Sequence, residues 1–158
     1  MIMTSEEQQY FITLLKEIRN GENSRFVSSK RFTQHGSTSV YRHSVNVAYL
    51  SYRFAKRLHL NVDSRALIRG ALLHDYFLYD WHVKSQNRPL HGFYHPGRAL
   101  RNAEMDFELS DVERNIIKTH MFPLTFYLPK HKESVIVCLV DKWISTIETF
   151  QGKNRLGK

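Results

Sequence analysis

The chain has 158 residues, of which 42% are hydrophobic and 13% aromatic, so it is not a disordered polypeptide and one compact domain is predicted. Its only cysteine, Cys138, excludes an intrachain disulfide framework and fits a cytoplasmic protein. The formal net charge of +8 favours an anionic partner, but no nucleic-acid motif is present, and the longest apolar run, residues 135–140, is too short to span a membrane.

Apolar residues recur three and four positions apart along most of the chain, and this spacing predicts helices. In the N-terminal half the predicted helices are residues 5–20, closed by Gly21, residues 38–59, and a helix that ends near residue 75. Asp63 or Ser64 caps the third of them. Residues 21–37 carry Gly, Asn and Ser without periodicity, which predicts a loop.

In the C-terminal half, residues 77–95 form an aromatic- and histidine-rich connection. Its length inside a compact domain indicates a functional segment or a short extra helix. A helix is predicted from Pro96 to about residue 104, because proline is common at the first helical position. The capping-box sequence 110–113 opens the helix that leads to His120, and residues 132–150 form the last helix.

The predicted fold class is all-α, a single-domain helical bundle of about six to seven helices, since no convincing strand or repeat is present. The N-terminal helix region is residues 1–21 and the core is about 32–148. The basic segment 152–158 is expected to fray.

Six side chains that can ligate a metal fall on the inward faces of the predicted helices. They are His43, His74, Asp75, His95, His120 and Asp141. His43, for example, continues an apolar stripe with Val47, Leu50 and Phe54, because residues three and four apart share a helix face. A single inward histidine is usually a core residue bonded to a carbonyl. Six inward polar groups are better explained by convergence on one or two divalent ions, which imidazole and carboxylate ligands suit.

The order H…HD…H…H…D resembles the HD-domain superfamily of metal-dependent phosphohydrolases, over about residues 32–148. The stretches that carry the resemblance to small stand-alone bacterial members are Gln34-His-Gly36, Tyr41-Arg-His-Ser44, Leu72-Leu-His-Asp75, His95-Pro96, His120-Met-Phe-Pro123 and Leu139-Val-Asp-Lys142. The core metal ligands implied by the resemblance are His43, His74, Asp75 and Asp141. His95 and His120 match the additional pair found in two-metal members.

One ligand assignment has an alternative. His91 lies four residues before His95 and could take its place. The proline that follows His95 marks a predicted helix start there, and this favours His95.

The resemblance implies hydrolysis of a phosphomonoester or phosphodiester of a nucleotide or similar small phosphorylated substrate, by water activated on one or two divalent ions (Mn, Fe, Co, Zn, Ni or Mg). Asp75 is expected to act in catalysis by bridging two ions. His35, in the loop before the His43 helix, could donate a proton to the leaving group. Lys142 and Arg42 each lie about 100° around a helix from a ligand and could bind the substrate phosphate at the pocket rim.

His35, Lys142 and Arg42 could equally be ordinary surface residues that have none of these roles. Two other functions also fit the pattern: a diiron oxygenase acting on a small anionic substrate, and a non-catalytic interaction module stabilised by metal. The complete ligand set argues against the second of these. The sequence does not indicate an oligomeric state.

Overall fold

The computed structural model describes residues 3–80 and 91–156, and the side chains within them except those of residues 91 and 152–156. In these ranges six α-helices and one 3₁₀ helix account for most of the chain, so the all-α prediction is confirmed. The helices are α1 Ser5–Asn20, the 3₁₀ helix Phe26–Arg31, α2 Val40–Arg57, α3 Ser64–Leu73, α4 His91–Asp106, α5 Asp111–Thr119 and α6 Lys132–Leu156. None of the helices described is both long and apolar enough to cross a membrane.

Side-chain caps fix the starts of several helices. The Asp63 side chain accepts a hydrogen bond from Ala66 N, so Asp63 rather than Ser64 caps α3. Ser110 and Glu113 form the predicted capping box of α5. These caps satisfy backbone N–H groups that have no partner within the helix.

Helix α3 lies at the centre of the bundle and contacts each of the other five α-helices. Every residue from Ala66 to Leu73 is buried. The approach to α5 is close at Gly70, where an added Cβ would lie 2.6 Å from Ile116 Cδ1. A side chain at residue 70 would therefore push these two helices apart.

A buried ion pair joins α3 to α5. Arg69 Nε donates to Glu113 Oε1 at 2.5 Å, and Nη2 donates to the carbonyl oxygen of Glu108 at 3.0 Å. Arg69 Nη1 also donates to Glu17 of α1. The pair fixes the relative position of two helices whose C-terminal ends carry His74 and His120.

The segment before α2 differs from the predicted loop. It contains the 3₁₀ helix and a small antiparallel ribbon in which strand β1, Thr33–His35, pairs with β2, Thr38–Ser39. Gly36 turns the chain between the strands with a φ of 56°, a left-handed conformation that glycine adopts without steric cost. The prediction of no strand was wrong here because strands of three and two residues are too short for an alternating pattern.

Three other helix predictions need correction. Helix α4 begins at His91, so Pro96 lies inside the helix, where its missing N–H removes only a bond to the carbonyl of Gly92 in the first turn. Phe54 is exposed although it continues the His43 stripe. Helix α6 extends to Leu156, beyond the predicted end at residue 150 and into the tail expected to fray. Residues 81–90 of the predicted connection lie outside the described residues.

Candidate metal centre

All six predicted ligands lie together in the interior of the bundle. His43 is on α2, His74 caps the C-terminus of α3 and Asp75 follows it. The remaining three are His95 on α4, His120 at the C-terminus of α5 and Asp141 on α6. None of the six residues is more than 6% exposed. Five helices thus bring six ligating groups to one place.

The six side chains form two groups of three. In the first group, Asp141 Oδ1 lies 3.0 Å from His43 Nε2 and 3.6 Å from His74 Nε2. In the second, Asp75 Oδ1 lies 3.1 Å from His95 Nε2 and 3.4 Å from His120 Nε2. Within each group the ligand atoms lie within 4.8 Å of one another, which is close enough for all three to bind one ion.

Asp75 connects the two groups. Its Oδ1 faces the second group, while its Oδ2 lies 3.3 Å from His74 Nε2 and 3.7 Å from His43 Nε2. One carboxylate oxygen therefore faces each group. This is the geometry of a carboxylate that could bridge two ions, as expected for Asp75.

Hydrogen bonds orient three of the imidazole rings. The Nδ1 atoms of His74 and His120 donate to the carbonyl oxygens three residues earlier, at 2.7 and 2.8 Å. His43 Nδ1 donates to Glu148 Oε2 at 2.8 Å. Because Nδ1 carries a proton in each ring, Nε2 is the nitrogen that could bind an ion after losing its own proton, which is the usual arrangement of a metal-binding histidine.

Unsatisfied polar atoms indicate that the residues fit a metal. His74 Nε2 and Asp75 Oδ1 are buried and have no hydrogen-bond partner among the residues that the structure describes. His95 Nε2 and His120 Nε2 are only 2.8 Å apart, a separation that needs a proton or a cation between them. Two imidazoles and one carboxylate oxygen per group suit a divalent transition ion.

The neighbouring histidines and carboxylates shift each other's pKa values toward the charged forms. Burial lowers the pKa of His43, but hydrogen bonds with Asp141 and Glu148 outweigh it and raise the pKa to about 9. Burial raises the pKa of Asp141, but hydrogen bonds with His43 and His74 hold it well below its usual range. Without metal, protons thus compensate the carboxylates. Metal binding must displace these protons, so it weakens as the pH falls.

Two residues without a predicted role support the ligands. Glu148, buried on α6, accepts from His43 and, at 3.4 Å, from Asn46 Nδ2. It lies two helical turns after Asp141, so the spacing of these residues on α6 was a usable signal. Gln34, buried on β1, donates from Nε2 to Asp75 Oδ2 at 2.5 Å. Its inward direction depends on a strand that was not predicted.

A cleft of about 500 Å³ opens onto the cluster. Asp75, His95, His120 and Asp141 contribute to its lining, so both ligand groups are accessible from it. Small and apolar residues form part of the wall. They are Gly92, Met121, Pro123, Leu124, Ser145 and Thr146. A small molecule in this cleft would contact both groups.

The three other predicted site residues have different locations. His35 and Lys142 line the cleft, and Lys142 Nζ donates to the carbonyl oxygen of His120 at 2.9 Å. Arg42 does not line it: its exposed side chain borders a separate cavity with Asn46 and Glu148. The role of Arg42 in phosphate binding stays a prediction.

His35 is half-buried, and its ring centroid lies 5.5 Å from that of His43. Burial, together with the nearby His43, lowers the pKa of His35. The neutral ring therefore predominates at neutral pH. A neutral imidazole can donate one hydrogen bond, whereas transfer of a proton to a leaving group is easier from the cation.

The assignment of His95 rather than His91 can be tested by metal analysis. His95→Ala is expected to lower the metal content by about one ion per chain, because the second group loses one of three ligands. His91→Ala is the matched control and should retain the wild-type content; the His91 side chain lies outside the described residues. Elemental analysis of protein purified without chelator measures both. Loss of metal in His91→Ala with retention in His95→Ala would reverse the assignment.

The comparisons with known proteins agree with this geometry. The family model described as HD domain matches residues 40–144, a range that contains all six ligands. No curated protein and no solved structure matches the chain significantly. Gln34, His35 and Glu148 lie outside the matched range. The match covers well over half of the chain, and the chain therefore belongs to the HD-domain family, whose members are generally metal-dependent hydrolases.

Proposed function

We propose that the protein hydrolyses a phosphate ester, either a phosphomonoester or a phosphodiester, of a nucleotide or similar small molecule. The observation that carries the proposal is the position of Asp75, which lies between two ligand groups on the wall of a cleft of small-molecule size. The family supports the same reaction class. The net charge of +8 favours an anionic substrate.

Divalent ions in the two groups would supply positive charge for the phosphoryl oxygens and lower the pKa of a bound water. The chain itself keeps the ligands in place. Gln34 fixes one oxygen of Asp75, and Glu148 fixes the ring of His43. Such outer hydrogen bonds set the orientation and basicity of the ligands.

Two cleft residues would contact the substrate. His35, which is neutral, would donate a hydrogen bond to a phosphoryl oxygen or to the leaving-group oxygen. Lys142 would bring an ammonium group to the cleft wall; its Nζ lies 3.1 Å from Cys138 Sγ and is bonded to the His120 carbonyl. A bound phosphate would offer this ammonium a stronger, charged acceptor.

A panel of phosphate esters assayed under strict anaerobic conditions tests the proposal. We expect phosphate or nucleoside monophosphate to be released with Mn²⁺ or another ion outside the iron couple, because ester hydrolysis needs a Lewis acid and no change of oxidation state. The control is protein treated with chelator, which should be inactive until metal is restored.

The diiron oxygenase predicts a different result in the same assay. Product formation that requires both iron and dioxygen, with no hydrolysis of any ester in the panel, would favour the diiron oxygenase. A four-histidine, two-carboxylate ligand set also suits two irons, so the ligands alone do not separate the two functions.

A further inference from the structure

Large apolar side chains are exposed beside the mouth of the cleft. On the loop between α5 and α6, Phe126 is 92% exposed and Leu128 is 65% exposed. On α6, Leu139 and Trp143 are each 61% exposed. These four residues together with Leu124 and Tyr127 are called the apolar rim below. Single exposed apolar residues are common on proteins, but six within two adjoining segments are typical of a contact surface.

Helix α6 is apolar on two sides. Val137 and Ile144 face the core, while Val135, Leu139 and Trp143 recur every four residues on the solvent side. A surface helix normally has one apolar face, and a helix that is apolar all around is normally covered on both sides. Among the described residues, the outer side of α6 is therefore left exposed at Val135, Leu139 and Trp143.

The segment between α5 and α6 contacts α6 directly. Cys138 Sγ lies 3.4 Å from the carbonyl oxygen of Phe122, and Lys142 Nζ lies 2.9 Å from that of His120. Leu139 and Trp143 each follow one of these α6 contact residues in the sequence and are exposed. Leu124 of the rim also lines the cleft, which makes the rim continuous with the cleft mouth.

The exposed charges on the segments that carry the rim, among the residues that the structure describes, are positive. From residue 114 to residue 158 the chain has three carboxylates, Glu133, Asp141 and Glu148, and all three are buried. Among the side chains that the structure describes, the same stretch has five cationic residues, namely Arg114, Lys118, Lys130, Lys132 and Lys142. Arg114 pairs with Glu104, and Lys118 lies over the ring of Tyr127. Lys130 and Lys132, which flank the end of the loop, are exposed. A partner of this surface must therefore accept apolar side chains and positive charge together.

We propose that the apolar rim docks onto the surface of an anionic lipid bilayer. Aromatic and aliphatic side chains enter the headgroup region of such a surface, and lysines next to them are attracted by anionic lipids. A second copy of the chain fits less well, because it would bring the same exposed lysines, Lys130 and Lys132, to this surface a second time. Single-stranded nucleic acid would stack on the aromatic rings but would leave Leu124, Leu128 and Leu139 without a counterpart. Docking would place the cleft mouth at the level of the lipid headgroups.

Sedimentation with vesicles tests the proposal. Wild-type protein is expected to sediment with phosphatidylcholine vesicles that contain phosphatidylglycerol and to remain in solution with phosphatidylcholine alone. The double variant Phe126→Ser, Leu128→Ser should bind the anionic vesicles at least about tenfold more weakly, since burial of one large apolar side chain contributes more than a tenfold factor. Met105→Ser, which changes an exposed residue of α4 outside the rim, should bind like the wild type.

Two charge-reversal variants test whether the lysines beside the rim contribute to vesicle binding. Lys130→Glu, Lys132→Glu should abolish the dependence on anionic lipid, whereas the same charge change at Lys16 and Arg19 of α1 should have a smaller effect, because a cation acts on the surface only within a Debye length. All four substituted positions are exposed, and circular dichroism checks that the variants fold.

Several results would overturn the proposal. They are the absence of binding at any content of anionic lipid, an equal loss of binding in the rim and control variants, a dimer in sedimentation velocity that the rim variant dissociates, or rim-dependent binding of a single-stranded oligonucleotide in place of vesicles.

Discussion

Asp75→Asn is expected to remove at least one bound ion and to lower the proposed phosphate-ester turnover by more than the 10- to 100-fold, roughly, that loss of an outer hydrogen-bond partner produces. The carboxylate presents one oxygen to each ligand group. Asparagine keeps the size of the side chain but replaces one oxygen with an NH₂ group and removes the charge. Residue 75 can then offer an oxygen ligand to only one of the two groups. The change thus removes electrostatic stabilisation from both groups together.

Metal content and thermal stability measure this effect. Wild-type protein freed of metal should gain melting temperature when Mn²⁺ is added, because an ion that binds only the folded state stabilises it. The gain should be much smaller for Asp75→Asn. Asp111→Asn, at an exposed position on α5, is the matched control and should respond like the wild type. An Asp75→Asn protein that binds two ions and retains its turnover would contradict the bridging role.

The helices and the ligands could be predicted from the sequence for the same reason. Apolar residues at helical spacing define inward faces, and a polar residue on such a face stands out against them. His74 and Asp75 are an example, since they follow the buried residues of α3 and are themselves buried. The prediction needed no knowledge of how the helices pack, because all inward faces meet in one core.

The ribbon and its contact with Asp75 could not be predicted in this way. A strand of three residues gives no usable periodicity, and the side of the ribbon that faces inward depends on the turn at Gly36. Gln34 was therefore recognised only as part of a motif. Its hydrogen bond to Asp75 joins residues 41 positions apart, which requires the tertiary fold.

Residues on the ends of helices were also difficult to place. His95 was favoured over His91 because Pro96 was expected to start a helix, but α4 begins five residues earlier. His95 nevertheless faces the second ligand group, because its position relative to His120 is determined by the packing of α4 on α5. Lys142 and Arg42 each adjoin a ligand in the sequence, yet Lys142 lines the cleft whereas Arg42 borders a separate cavity, a difference that the sequence spacing alone does not predict.

The ion pair between α3 and α5 should dominate the response of the fold to mutation. Arg69→Ala is expected to lower the free energy of unfolding by about 3–5 kcal/mol, since it leaves the buried Glu113 carboxylate without its cation. Arg65→Ala is the matched control. Arg65 also binds Glu17, but its side chain is 53% exposed, and an exposed pair contributes only about 0–1 kcal/mol.

Urea unfolding of both variants, carried out without metal, measures the difference directly. The metal-free state matters because bound ions would add stability to the same helices and hide part of the loss. The two helices joined by Arg69 and Glu113 end at His74 and His120, one in each ligand group. Loosening their contact should therefore also weaken metal binding in Arg69→Ala, although the substitution touches no ligand. Equal unfolding free energies for Arg69→Ala and Arg65→Ala would show that the buried pair does not hold the two helices in place.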